Sequence, residues 1–254
     1  MSDLLLDRPV LVLVLSFAGF WAAAWFGRRY RARRPAHEEK ADEDFSFVLG
    51  GTLTLLGLLI GFTFSMAVAR YDQRKSLEEQ EANAIGTEYA RADLLPAADA
   101  ARVRELLQGY LEQRLLFYTS RDPLRLRQVD ARTRRLQAEL WAAVAKHVAA
   151  QRDPVTALVA AGMNDVLNSQ GYTQAAWWNR IPRAAWALLV AIALFCNMLI
   201  GYGAHGKRAS LLLILPIALS VTLFLIADIE SPHGGVIRVH PQNLESVAES
   251  LRTS

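Results

Sequence analysis

Residues 46–69 read SFVLGGTLTLLGLLIGFTFSMAVA, 24 positions without a charge. At 1.5 Å of rise per residue such a helix is about 36 Å long, enough to cross the roughly 30 Å hydrocarbon core of a bilayer with some tilt. Similar runs lie at 9–26 (PVLVLVLSFAGFWAAAWF), 184–204 (AAWALLVAIALFCNMLIGYGA) and 211–227 (LLLILPIALSVTLFLIA), the last ended by Asp228. Buried helices of a water-soluble core rarely run 17 or more residues without a charge, so the pattern predicts four membrane spans. The first run follows MSDLLLDR, which lacks a basic leader, and is followed by arginines rather than a cleavage site; it reads as a retained helix. Aromatic residues gather near the span ends, at Trp21, Trp25, Tyr30, Trp177, Trp178, Trp186 and Tyr202, where amphipathic rings suit the headgroup layer.

Composition alone conceals this. The 254-residue chain is 52% hydrophobic and 21% charged, ordinary for a globular protein. Lys+Arg exceed Asp+Glu by 28 − 25 = 3, too little to argue for nucleic acid as a partner. The single cysteine, Cys196, forms no internal disulfide. What separates the chain from a soluble protein is where the charge sits, mostly between 70 and 183.

That middle stretch is rich in Ala, Leu, Arg, Glu and Gln, and it predicts a water-soluble helical bundle. Val103, Leu106, Leu107, Tyr110, Leu111, Arg114, Leu115 and Tyr118 recur at helical spacing. Breaks fall at Pro96, Asp122-Pro123 and Asp153-Pro154, giving helices near 70–94, 98–119, 123–150 and 154–180. The first should continue the second span without interruption. The expected architecture is all-α: a first transmembrane hairpin in 1–69, the bundle in 70–183, a second hairpin in 184–228, and a tail in 229–254. In that tail Val236–Val239 could be extended, and 241–251 should form an amphipathic helix with Leu244, Val247 and Leu251 on one face.

Two orientations compete. With four spans, Arg28, Arg29, Arg31, Arg33, Arg34, Lys40, Lys207 and Arg208 lie in the two loops opposite the bundle, and the positive-inside rule would make those loops cytoplasmic. Arg70, Arg74, Lys75, Arg180 and Arg183 flank the membrane on the bundle's side and oppose that reading.

Enzyme signatures are absent: there is no Gly-rich phosphate loop, HExxH motif or nucleophile elbow. The histidines (37, 147, 205, 233 and 240) are scattered, and no metal or other cofactor is expected. The informative pattern is in the second span. Gly50, Thr54, Gly57, Gly61 and Ser65, at spacings of four, three, four and four, form a stripe of small or hydroxyl side chains. Such a stripe suits close helix packing, or a water-filled path between copies of the helix. Phe62 and Phe64 beside it could form a dewetting constriction. Asp228 and Glu230, at the end of the fourth span, share an interface with Arg70; they could pair with it or line a pore mouth.

Three stretches carry a family resemblance: Arg70–Pro96, with its motifs Glu81–Gly86 (EANAIG) and Tyr89–Pro96 (YARADLLP); Met163–Trp186 (MNDVLNSQGYTQAAWWNRIPRAAW); and Phe224–Val239, with its motif Asp228–Gly235 (DIESPHGG). Together they resemble the bestrophin-like family of bacterial membrane proteins over most of Phe47–Leu244. The order of elements is similar to that of bestrophins, homopentameric ion channels with two transmembrane hairpins around a helical cytosolic part. The resemblance implies an oligomeric channel, possible as a pentamer, with a pore near Gly57, Gly61, Phe62, Phe64 and Ser65, and a cytoplasmic bundle. The acidic calcium clasp of bestrophins is not seen in the sequence, so calcium gating does not carry over. The expected partners are the lipid bilayer, further copies of the chain and inorganic ions. The alternative is a non-conducting membrane scaffold or sensor whose bundle binds a protein.

Overall fold

The computed structural model describes residues 8–33, 39–151, 153–204 and 212–253, with the backbone alone described over 39–43. Among these residues there are helices and no strand. In chain order they are α1 (Pro9–Arg31), α2 (Glu39–Arg91), a 3-10 turn (Ala92–Leu94), α3 (Ala97–Thr119), α4 (Pro123–Ala150), α5 (Pro154–Trp178), α6 (Arg183–Gly203), α7 (Ile214–Glu230) and α8 (Gln242–Thr253). They divide into two compact units, one of residues 1–70 and 180–237, the other of residues 71–179 and 238–254.

Local chemistry sets the helix ends. Pro9, Pro123 and Pro154 occupy first-turn positions, where the missing N–H has no helical partner to lose. Asp122 accepts from the Leu124 amide at 3.0 Å. Asp153 accepts from the Thr156 amide at 2.8 Å, while Thr156 Oγ1 accepts from the Asp153 amide at 3.2 Å, a reciprocal capping box. The Thr156 amide bond holds the Asp153 carboxyl below its ordinary pKa. No residue between 39 and 91 forces a break, so α2 runs 53 residues, about 80 Å by helical rise.

The first unit is held by α1, α6, α7 and the N-terminal part of α2. Phe20, Leu56, Leu189, Ala193, Cys196, Leu219 and Leu223 form its buried core. The crossing of α1 and α6 is set by two glycines. A Cβ on Gly27 would fall within contact distance of the Met198 carbonyl oxygen and 2.9 Å from the Tyr202 nitrogen. One on Gly201 would meet the Ala24 carbonyl oxygen and lie 2.9 Å from the Ala24 Cα. Each helix can approach the other's backbone only because those side chains are hydrogen atoms, as in small-residue packing of membrane helices.

The second unit has its own core. Val103, Leu107, Tyr110, Leu136, Leu140, Val144, Val159, Met163 and Val166 bring together α3, α4 and α5, and Ile85 of α2 and Leu244 of α8 complete it. Burying one such Leu or Val fully contributes about 1.5–3 kcal/mol. The helical-spacing residues of α3 face this core, including Arg114, which is fully buried.

Several local expectations are corrected. The helix carrying the first apolar run does not stop at Phe26 but continues to Arg31, so Arg28, Arg29 and Arg31 occupy its last turn. Cations there complement the negative end of the helix dipole. The helix through residue 70 gives way at Arg91 to a 3-10 turn, and α5 ends at Trp178 rather than 180. The final apolar helix, expected to continue to Pro232, ends at Glu230. Of the segment Val236–Val239 expected to be extended, Val236 and Ile237 belong instead to a turn over Pro232–Ile237, because Asp228 captures the returning backbone. Arg34, His37, His205, Lys207 and Arg208 lie outside the described residues, as does the side chain of Lys40.

Among the described residues, three helical stretches are long and apolar enough to cross a membrane: Pro9–Arg31, Asp44–Leu94 and Pro154–Gly203. The helix of the fourth apolar run, Ile214–Glu230, has 17 residues, about 26 Å.

Candidate pore-facing helix and its interfacial clasp

Along α2 within the first unit, burial follows the helical period. Leu56, Thr63 and Ala67 are buried, at 2%, 7% and 0% exposure. Thr54, Gly57, Gly61 and Ser65 are exposed. At 100° per residue the exposed four fall in an arc of about 80°, centred roughly opposite the buried three. Cβ atoms added at Gly50, Gly51, Gly57 and Gly61 would meet nothing within 4 Å. Among the described residues, no side chain of the same chain therefore covers the glycines of the stripe. Thr54 donates its hydroxyl to the Gly50 carbonyl at 2.9 Å, which satisfies it within its own helix. Phe62 and Phe64 are 61% and 39% exposed and lie about 100° and about 60° from Gly61 on opposite sides, flanking the stripe and not on its centre line.

The end of α7 is tied by a clasp built from its two acids. Asp228, 1% exposed, accepts from the Val236 amide at 2.8 and 3.0 Å and from the Ile237 amide at 2.7 Å. This folds the chain back over the helix terminus. Gly235 is required at the bend, since a Cβ there would strike the Asp228 carbonyl and lie 3.0 Å from the Ser231 oxygen. Glu230, 5% exposed, accepts from Arg70 Nη1 at 3.1 Å and from the Ile181 amide at 2.8 Å. Arg70 thus joins Glu230, and Asp228 is engaged by backbone amides instead. The reason is geometric: residues two apart on a helix point about 160° apart, so the two acids cannot share one partner. Buried carboxylates with bonds of this kind fasten α7 to α2, to the segment leading into α6 and to the chain that follows α7.

In the second unit the motif residues are also fasteners. Glu81 forms a fully buried ion pair with Arg114, and Tyr118 and Thr173 hydroxyls donate to it at 3.3 and 3.4 Å. Arg114 also lies over the Phe117 ring at 4.5 Å. Burial, reinforced by the Glu81 charge, pushes the Tyr110 and Tyr118 hydroxyls well above their ordinary pKa. Glu78 receives the start of α8, accepting from the Asn243 and Leu244 amides at 3.0 and 2.9 Å and from Asn243 Nδ2 at 2.7 Å. A carboxylate at a helix N-terminus satisfies orphan amides and favours the dipole. Glu88 is buried beside Gly162, whose missing side chain makes room for its carboxyl, and Arg91 reaches within 3.9 Å. Desolvation raises its pKa from 4.5 to about 8, against the lowering effect of Arg91.

Glu78, Glu81, Glu88 and Arg114 were not among the site residues expected from sequence. A signal existed: Glu78, Glu81, Ala82, Ile85 and Glu88 share one face of α2, and charged residues interleaved with apolar ones on a buried face must find partners. Among the described residues no group of three or more His, Cys, Asp or Glu is placed to hold a metal ion.

Comparison with known proteins follows this geometry. The family model of the Bestrophin-like domain matches residues 14–244. A bacterial bestrophin homologue from Klebsiella pneumoniae has a similar structure: 17% identity, 96% of this chain and 97% of that chain covered, TM-score 0.67. A membrane protein carrying a glycine-to-alanine substitution superposes with TM-score 0.68 at 16% identity, covering 97% of this chain and 98% of the other. Identities this low speak for a shared fold. No curated protein matched the sequence.

Proposed function

This chain belongs to the Bestrophin-like family, and from that membership we propose that it is an oligomeric ion channel of a bacterial cytoplasmic membrane. In this reading it has four spans arranged as two hairpins, and α2 faces the central axis. The observation that carries the proposal is the uncovered arc of Thr54, Gly57, Gly61 and Ser65, opposite the face of α2 that packs into its own unit. An uncovered arc of apolar bulk would suit lipid. An arc of glycine and hydroxyl side chains suits a wetted path or close packing of identical helices. Phe62 and Phe64, at the arc's edges, would close the gaps between neighbouring copies and narrow the path. Arg70 and Glu230 serve as an interfacial pair, and Asp228 anchors the chain as it leaves α7.

The test is particle symmetry combined with current in planar bilayers. A symmetric ring with an axial path, and a conductance reduced severalfold or more by Gly61→Trp, are the expected results. A compact dimer lacking an axial path would refute the proposal. A ring that passes no ions would favour the non-conducting scaffold.

A further inference from the structure

An aromatic cavity opens at the charged end of α1. Its volume is about 420 Å³, within the range of small-ligand sites, and its lining is almost wholly apolar: Phe26 and Tyr30 of α1, Phe45 of α2, and Met198, Leu199 and Tyr202 of α6. The rings form a continuous wall, with centroid separations of 6.5 Å for Phe26–Tyr30, 6.3 Å for Tyr30–Tyr202 and 5.5 Å for Phe45–Tyr202. Gly27, itself part of the lining, and Gly201 hold the two helices in backbone contact beside the cavity.

The helix end beside the cavity is cationic. Arg31 holds its guanidinium 5.0 Å from the centroid of the Tyr202 ring, directly over the cavity wall. Arg28 and Arg29 are exposed in the same last turn, Arg29 lying over Trp25 at 5.6 Å. An apolar slot with Arg31 at its wall, beside a helix end whose last turn carries three arginines, in a helix long and apolar enough to cross a membrane, is complementary to a molecule with an acyl chain and a negative headgroup.

The geometry points to a binding site for an anionic diacyl phospholipid, one acyl chain entering between α1 and α6 and its phosphate meeting Arg28, Arg29 and Arg31. A zwitterionic lipid offers the same chain but no net charge, so the arginines set the preference for the anionic lipid. The site does not depend on conduction, and its test reads no current.

Full-length protein in detergent is titrated with phosphatidylglycerol or with phosphatidylcholine of the same acyl chains, and retained lipid is counted by native mass spectrometry. Phosphatidylglycerol should be retained about tenfold more tightly. Arg29→Gln combined with Arg31→Gln should bring it down to the phosphatidylcholine level. Leu199→Trp, which fills the cavity, should abolish retention of both lipids. Leu199→Ala should keep it, and a melting curve of each variant without added lipid separates lost binding from lost fold. Equal retention of the two lipids, or wild-type binding by a folded Leu199→Trp variant, would overturn the proposal. A change in subunit number on filling the cavity would also overturn it, assigning the space to a neighbouring copy.

Discussion

Replacing Glu81 by Gln tests whether the second unit depends on its buried ion pair. Glu81 and Arg114 are both fully buried. The substitution keeps the shape of the side chain but leaves the guanidinium of Arg114 charged, desolvated and facing a neutral amide. Two unit charges about 4 Å apart attract by about 4 kcal/mol at an effective dielectric constant near 20. Removing one partner of a buried pair typically costs 3–5 kcal/mol, much of it the penalty on the abandoned charge. For a chain of this size each kcal/mol moves the melting temperature by about 2–4 °C, so Glu81→Gln should melt about 10 °C lower in detergent. The stacking of Arg114 on Phe117 makes the outcome more specific. Arg114→Met should cost a similar amount, because Glu81 would retain only the Tyr118 and Thr173 hydroxyls. The double variant Glu81→Leu with Arg114→Met removes both charges and should recover most of the loss, giving a strongly non-additive cycle. A Glu81→Gln protein melting within about 2 °C of wild type, or a double variant as unstable as the sum of the singles, would refute the reasoning.

Other consequences follow from the same structure. Gly201→Leu should separate α1 from α6, since even a Cβ meets the Ala24 backbone, and a drop of several degrees in melting temperature or loss of the purified oligomer is the expected readout. Gly235→Val should loosen the bonds from Val236 and Ile237 to Asp228, read as faster amide exchange at those two residues. Glu88 holds its proton more tightly when folded, with a pKa raised from 4.5 to about 8, so the stability it confers is complete below pH 4.5 and is lost as pH rises through 8. Glu88→Gln should flatten that dependence and be more stable than wild type above pH 8, by an amount on the order of 5 kcal/mol at most. An introduced cysteine at exposed Glu79 should label from only one side of the membrane, and a cytoplasmic bundle predicts protection from an impermeant reagent in intact cells.

Much of the helical layout was legible in the residues. The prolines at 9, 123 and 154 and the aspartates at 122 and 153 carry their effect through bonds to their own chain neighbours, so they act the same way whatever the tertiary structure. The unbroken course of α2 could likewise be read, because nothing between residues 39 and 91 interrupts helical hydrogen bonding. The glycine stripe was visible as spacing alone, since a helix turns spacing into a face.

What spacing could not settle was the choice of partner. Asp228 and Glu230 both lie near Arg70 in a linear reading, yet Glu230 takes the arginine and Asp228 takes two amides eight and nine residues later. The carboxylates at 78, 81 and 88 share one face of α2, but which helices cover that face, α3, α5 and α8, no spacing could name. The sequence by itself determined the helices and their apolar faces, because those follow from local backbone chemistry and period. Only the tertiary structure decided which charges were buried and with whom, because that depends on helices far apart in the chain meeting at distances no periodicity encodes.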